Sequence, residues 1–414
     1  MEELISSGLA GMDISILQGG KGEGEAEAEA EDASATREQR EEKMKDVRRE
    51  NHDEYINSTP PPCPCPLPPA VLETTTQEEE EEEEEVYREE DRIARYRGLW
   101  ESRFAGKFGS FDDQTSLGPM RFTFGPIPSY ARPHCTIQIF GIRVADLEDR
   151  LQWPLHVHGF VAARDTSDHN RNFLFNRTSD NCQVLTQQDP YLPLTGPSRA
   201  IVIIDPIMIE FQLKVKSKMD HKEDEMLAFG IFNYPQTYLA THVIRSGILC
   251  DRCTIGLAYA PLDPSVEATV IGVRIIDGVW LEGLRGRVVA EVTTVREGEV
   301  LLLDSREGKM PISPSTGAVE LSRRVVSVDL EGGKLVVSVV ASPQTAGKEE
   351  GDDGGGAAVV VARGEAVFAP ERAGTSNGTC DLGFCKLEVA VAWSLVSSLW
   401  NERRALAKLA EERA

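Results

Sequence analysis

Ala200–Lys216 reads A-I-V-I-I-D-P-I-M-I-E-F-Q-L-K-V-K, and its second half alternates without a break. Ile207, Ile209, Phe211, Leu213 and Val215 fall on one side, and Met208, Glu210, Gln212, Lys214 and Lys216 fall on the other. Successive strand side chains point to opposite faces, so this pattern predicts a strand with one buried and one wet face. Ile201–Ile204, just before it, is a continuous apolar run, as expected where both faces of a sheet are covered. Asp205-Pro206 separates the two, and a proline cannot donate to a sheet ladder, so it marks a bend or an edge. Two strands joined by a kink place the chain among β proteins.

Working outward, the same kind of pattern recurs. Thr136–Val144, Leu155–Ala163, Leu227–Phe232, Thr237–Ile244, Thr254–Ala260, Val266–Ile276, Gly286–Val295 and Glu299–Leu303 all read as strands. Val319–Leu330 and Lys334–Ala341 flank Glu331-Gly332-Gly333, a hairpin signal. Ser342–Gly356 is a polar loop, Val359–Phe368 resumes the pattern, and Lys386–Val396 closes it with Leu387, Val389, Val391, Trp393 and Leu395 on one face. Roughly a dozen short strands with turn signals every ~8–12 residues predict an all-β, antiparallel sandwich or barrel. No βαβ spacing appears.

The first hundred residues differ in kind. Glu23–Glu31 alternates Glu with Gly or Ala, Pro60–Pro69 is a polyproline II run, and Glu78–Glu85 is unbroken acid. Residues 1–99 therefore read as a disordered acidic, proline-rich tail, with Glu89–Tyr96 able to form a short helix. The domain is expected over residues 100–396, and residues 397–414 as a short charged C-terminal helix. Phe104, Phe108, Phe111, Phe122 and Phe124, set among glycines and prolines, read as irregular chain laid on the core.

The net charge is −24. Residues 1–100 hold 28 Asp and Glu against 11 Lys and Arg, and the remainder 40 against 33, so most of the charge belongs to the tail. Nonspecific nucleic-acid binding needs a basic surface to displace counterions, and no basic block exists, so a nucleic-acid partner is not expected. The N-terminal M-E-E-L-I-S-S-G-L-A lacks the basic and apolar regions of a secretory signal. No run approaches the roughly 18 apolar residues that span a bilayer. The expectation is an intracellular protein, cytoplasmic or nuclear, with its eight Cys mostly as thiols and no membrane partner. The glycosylation acceptor patterns at Asn176 and Asn377 carry no function without secretion.

Trp153–Asp165 (W-P-L-H-V-H-G-F-V-A-A-R-D), Arg171-Asn172, Leu194–Arg199 (L-T-G-P-S-R), Ile209-Glu210, Val266–Thr269 (V-E-A-T) and Val391–Leu395 (V-A-W-S-L) follow one another in order. Together they resemble a β-rich domain-of-unknown-function family of grasses, over about Tyr130 to Val396. The resemblance implies no catalytic residues. Similar domains are appended to ribosome-inactivating N-glycosidases in some cereal proteins, which implies a stress or defence context.

Several groupings invite a chemical reading. His156 and His158 share a strand face, a start for a metal site, yet no carboxylate follows at the next positions, Phe160–Ala163. Cys250-x-x-Cys253 with Cys380 and Cys385 offers four thiolates, but the second pair is spaced too loosely for a zinc ribbon. Ala162-Ala163-Arg164 lacks the preceding glutamate of an N-glycosidase, because position 161 is Val, and it alternates as a strand. Thr195–Arg199 has one glycine and precedes a strand, so it is a turn and not a phosphate cradle. Arg164-Asp165 reads as a strand-end ion pair or turn, with Asp165 bonding nearby amides. Glu210 and Glu267 fall on faces expected to be wet. No catalytic or cofactor-binding set is assigned and no cofactor is implied. His156, His158, Cys250 and Cys253 remain the metal candidates. The expected function is a non-catalytic binding or interaction module, with a protein partner reached through the acidic tail. The alternative is a sugar-active or hydrolytic enzyme on a β-sandwich.

Overall fold

The computed structural model describes residues 77–398 and 402–408, apart from 149, 205, 218–223, 235–240, 307, 345–359 and 406. The chain divides into two units, Met1–Thr74 and Thr75–Ala414, and every described residue belongs to the second. The disorder expected for residues 1–76, the run Pro60–Pro69 and most of the polar loop 342–356 lie outside the described residues.

The fold is all-β and antiparallel, as expected, but richer: sixteen strands in three sheets among the described residues. A five-stranded sheet holds β2 (Leu155–Arg164), β3 (Asn172–Arg177), β4 (Gln183–Leu185), β6 (Ile207–Val215) and β7 (Glu225–Tyr234). A four-stranded sheet holds β10 (Leu284–Val292), β11 (Glu299–Asp304), β13 (Leu335–Pro343) and β14 (Ala362–Phe368). The seven-stranded sheet holds β1 (His134–Ala145), β5 (Ile201–Val202), β8 (Ile244–Leu249), β9 (Thr254–Gly278), β12 (Val325–Asp329), β15 (Ala373–Asp381) and β16 (Cys385–Ser394).

The seven-stranded sheet feeds two cores through β9. At its start Ile255, Leu257 and Tyr259 join Ile209, Phe211 and Leu213 of β6 and Val157 and Val161 of β2 in one core. Further on, Ala260, Leu262, Val266, Ala268 and Val270 join Val288, Val337 and Val339 of the four-stranded sheet in another. Odd positions serve the first core and even positions the second, so one strand buries opposite faces at its two ends. Pro261 and Pro264 lead the sequence to be read as two strands here. β8 pairs residues 254–259 of β9 and β12 pairs residues 265–269. Both prolines lie in the gap between those partners, where a missing N–H costs no ladder bond on that side.

The Ala200–Lys216 stretch switches sheets at its kink. Ile201 and Val202 pair with β1, whereas β6 runs between β2 and β7 at the centre of the five-stranded sheet. Ile207, Ile209, Phe211 and Leu213 are buried as expected.

Three expectations shift. Glu331-Gly332-Gly333 does not close a hairpin: β12 pairs with β9, while β13 pairs with β10 and β14. The glycines, with Gly332 at φ +75°, carry the chain from one sheet to another. The strand expected from Thr237 begins instead at Ile244, and residues 237–240 lie outside the described ones. A helix, α1 (Gln77–Phe108), starts within the acidic run and continues past Trp100, where the domain was expected to begin. Tyr96, Trp100 and Phe104 recur at four-residue spacing on it, one face of a helix. Trp100 is fully buried, and its indole N–H donates to the His169 carbonyl at 2.7 Å. Residues 402–405 and 407–408 form the short C-terminal helix. Among the described residues no helix is long and apolar enough to cross a membrane.

Phe211 is 1% exposed at the centre of the first core. Phe211→Ala is expected to cost about 3–5 kcal/mol in urea melts, and a change under about 1 kcal/mol would show that its face is not the packed one.

Candidate functional site

The face of β6 that the sequence reads as wet is covered at Glu210, which is 3% exposed. The cover comes from α1 and the residues after it, with Phe111 fully buried. A carboxylate in such a place needs partners, and two arginines supply them. Arg164, at the end of β2, brings Nε and Nη2 to Glu210 Oε2 at 3.1 and 3.0 Å. Arg171 donates Nε to Oε2 at 3.1 Å and Nη2 to Oε1 at 2.6 Å. The fork of a guanidinium matches a carboxylate, which makes such pairs the strong ones.

The remaining guanidinium donors are also used. Arg164 donates to the carbonyls of Phe111 at 2.6 Å and His169 at 3.1 Å. Arg171 reaches Asp112 Oδ1 at 3.0 Å, and Arg97 donates twice to the same carboxylate at 2.9 Å. Aromatic faces complete the shell. Arg164 lies 4.0 Å from the Phe111 centroid, and Arg171 lies 4.5 Å from that of Phe160. Burial lowers the Arg164 pKa and pushes the Tyr96 phenol up to about 12. His169 stacks on Phe104 at 3.9 Å between centroids, and burial pushes its imidazole down to about 4.

A second cluster adjoins the first through the turn after β2. Asp165 takes Arg199 Nη1 at 2.7 Å and Nη2 at 2.9 Å, and also accepts the amides of Val202 at 2.7 Å and Ser167 at 3.0 Å. Asp165 therefore bonds nearby amides as its sequence suggests, but its ionic partner is Arg199, from the Thr195–Arg199 turn. Asp168 Oδ1 shares Arg199 at 2.9 Å, and its Oδ2 accepts the Thr115 hydroxyl. Asn172 holds the turn from below, accepting the Ser198 amide at 2.8 Å and donating to the Arg199 carbonyl at 3.0 Å. Burial alone would raise the Asp165 pKa, but Arg199 and the two amides outweigh it and the net direction is down.

Glu267 of β9 is the third buried carboxylate. It accepts the Met120 amide at 2.7 Å and the Ala200 amide at 2.8 Å, and burial still raises its pKa. Beside it lies a cavity of about 20 Å³, lined in part by Arg199, Ser167, Arg121, Ser394 and Ser397. That is room for a single water. Phe122 donates its amide to the Ser394 hydroxyl at 3.0 Å, tying the last strand into the same region.

Glu210 and Glu267 thus correct the expectation of solvated carboxylates. The physical reason is tertiary cover: strand alternation sorts faces, but not what later packs on them. The residues convergent here, Arg164, Asp165, Arg171, Asn172, Arg199, Glu210, Glu267 and Ser394, come from the separated motifs that carry the family resemblance. A signal existed in the charged residues set into otherwise apolar strands. Their mutual pairing was not readable.

The metal candidates lie elsewhere. His156 and His158 are on the outer face of β2, and each has its own neighbour. Cys182 Sγ is 3.7 Å from His156 Nδ1, and Asp224 Oδ2 is 2.9 Å from His158 Nε2. Cys253 is buried in the first core with Cys250 packed against it, whereas Cys380 and Cys385 are buried in the second, so the four thiols are not brought together. Burial pushes the Cys380 and Cys385 thiols up to about 12 and about 11. Among the described residues no group of three or more His, Cys, Asp and Glu is arranged to hold a metal ion.

Removing one partner of a buried ion pair costs more than the pair contributes, because the other charge is left uncompensated. Asp165→Asn is expected to lose about 3–5 kcal/mol at pH 7. The folded-state pKa of Asp165 lies below its ordinary 3.8. Its contribution is therefore complete above that value and is lost as pH falls through the folded one. Urea melts of wild type and variant should converge below pH 4, and a gap that persists there would rule out Asp165 as the titrating group.

The sequence matches the family model of a domain of unknown function, DUF6598, over residues 136–391. No curated protein matches it. Solved structures with some likeness include the two tandem C2 domains of extended-synaptotagmin 2, at 8% identity and a TM-score of 0.21 over 69% of this chain and 99% of that one. Human GIVD cytosolic phospholipase A2 is at 9% identity and 0.21, over 64% of this chain and 33% of that one. Scores at this level carry no argument about fold or activity. Neither the family match nor these neighbours concerns grasses or N-glycosidases. With well over half its length matched, the chain belongs to the DUF6598 family.

Proposed function

We propose that this protein is a non-catalytic interaction module: paired β-sandwich cores carrying an acidic helical extension that engages a basic protein partner. The observation behind this reading is that the buried charges close on themselves. Glu210, Asp165 and Asp168 are each bound to guanidinium groups, and Glu267 takes two backbone amides. General acid–base work needs a carboxyl within reach of a substrate proton. The cavity beside these groups admits a single water, so they serve as scaffold.

The sign of the chain supports the partner class. Its charge is concentrated toward the N-terminus, and Glu78–Glu85 fall within α1 at the margin of the domain. A single-sign run of this kind attracts oppositely charged proteins and steers their approach. A stress or defence setting in a plant is the further reading that the sequence resemblance supports. The test uses the full chain and a lysine-rich peptide followed by fluorescence anisotropy. Binding should weaken steeply with added salt and fall by about tenfold or more when Glu78–Glu85 are changed to Gln. Equal affinity for both proteins would remove the acidic run from the function.

A further inference from the structure

We propose that the chain pairs with a second copy of itself through β8, joining two seven-stranded sheets edge to edge about a two-fold axis at Gly247. The proposal rests on the ladder register, independent of the acidic helix. β8 pairs with β9 alone, from Ile244 opposite Tyr259 to Leu249 opposite Thr254. The hairpin that joins them is closed by the Cys250 amide donating to the Cys253 carbonyl at 2.9 Å. Hydrogen-bonded and non-hydrogen-bonded pairs alternate along an antiparallel ladder. Counting back from that closing pair, Ile248, Ser246 and Ile244 turn their backbone groups toward β9. Leu249, Gly247 and Arg245 turn theirs away.

The far side of β9 confirms the phase. On β1 the Val144 amide and the Ile142 carbonyl bond outward to Pro190 and Leu192, so Arg143 and Ala145 face β9 opposite Gly256 and Thr254. Gly256 and Thr254 are therefore the β9 residues that turn from β8, as the count requires.

Arg245, Gly247 and Leu249 are all exposed, and Leu249 is 84% exposed. An edge presenting a row of backbone donors and acceptors is a template for another strand, and proteins guard such edges with Lys, Pro or bulges. β8 carries neither a lysine nor a proline and keeps an unbroken register; its one charge, Arg245, leans toward Glu297 at 3.3 Å.

The edge is self-complementary. A two-fold axis at Gly247 sets Gly247 against its own copy and Arg245 against Leu249 of the other chain. That register is the one in which all three outward-facing residues meet a partner's outward-facing residue. An isologous contact requires this mutual correspondence. At the axis two identical residues face each other, and glycine brings no side chain into that crowded position. The methylenes of Arg245 would cover the exposed Leu249 of the second copy while its guanidinium stays in water. The core-side residues Ile244 and Ile248 are already packed against the first core, so the strand would dock as a preformed element.

The test is sedimentation velocity on the full chain from about 1 to 100 µM, with amide exchange on the same samples. Wild type should dimerise across this range, and the Gly247 and Leu249 amides should gain protection on dimerisation. Gly247→Pro removes only the outward donor and leaves the Ser246 and Ile248 donors to β9. Leu249→Lys adds the guard that the edge lacks. Each should weaken dimerisation by about tenfold or more without lowering the melting temperature. If Gly247→Pro unfolds the hairpin, Leu249→Lys decides. A wild type that stays monomeric, a dimer indifferent to Leu249→Lys, or amides of Gly247 and Leu249 that exchange equally fast in monomer and dimer would each overturn the proposal.

Discussion

A carboxylate held between two guanidiniums, Glu210 with Arg164 and Arg171, is the constraint on which the first half of this domain turns. An ionised side chain on a central strand is tolerated inside a protein only when its charge is matched and its lone pairs are filled. Meeting that demand recruits distant chain. Arg164 reaches the carbonyls of Phe111 and His169, and Arg171 reaches Asp112. The segment after α1 is thereby pinned across the outer face of the five-stranded sheet. The aromatic residues of α1 then pack on the covered arginines, with Trp100 donating to His169. The charge cluster organises the cover as much as the apolar contacts do.

Asp165 and Glu267 extend the same logic toward the second core. Asp165 binds Arg199 and the Val202 amide, so it positions the start of β5 against β1. Glu267, on the part of β9 that faces the four-stranded sheet, holds the amides of Ala200 and Met120. Charged groups of the first core and backbone near the second therefore meet around one short stretch, Arg199–Val202. Such networks specify geometry well, because a half-satisfied arrangement is costly. They leave little reactive capacity, since the lone pairs a catalyst would use are already occupied.

β9 supplies the mechanical link. A strand that buries odd positions at one end and even positions at the other couples two cores without a separate linker. Its prolines are tolerated because they fall between the segments paired by β8 and β12. β8 lies beyond this frame, paired on one side and open on the other. Scaffold and contact surface are thus separated in the fold, with the buried charges inside and the open ladder at the margin.

Much of this was legible in the residues. Strict alternation in β6 and β16 placed Phe211 and Trp393 in cores, because the two-residue period of a strand maps directly onto burial. β15 was not legible: its A-G-T-S-N-G-T-C-D has no apolar period, and it is a strand through pairing with β16. The joining of two apolar runs into β9 also depended on which strands lie beside its prolines. The turn at Gly332-Gly333 signalled a reversal, but which sheet receives the returning strand is a matter of distant partners. The buried carboxylates were the deepest difference. By itself the sequence determined the strand class, the apolar faces and the charge asymmetry of the ends, because these follow from local periodicity and composition. Only the tertiary structure decided that Glu210 and Glu267 are inside, because burial of a charge depends on the guanidiniums and amides that other segments bring to it.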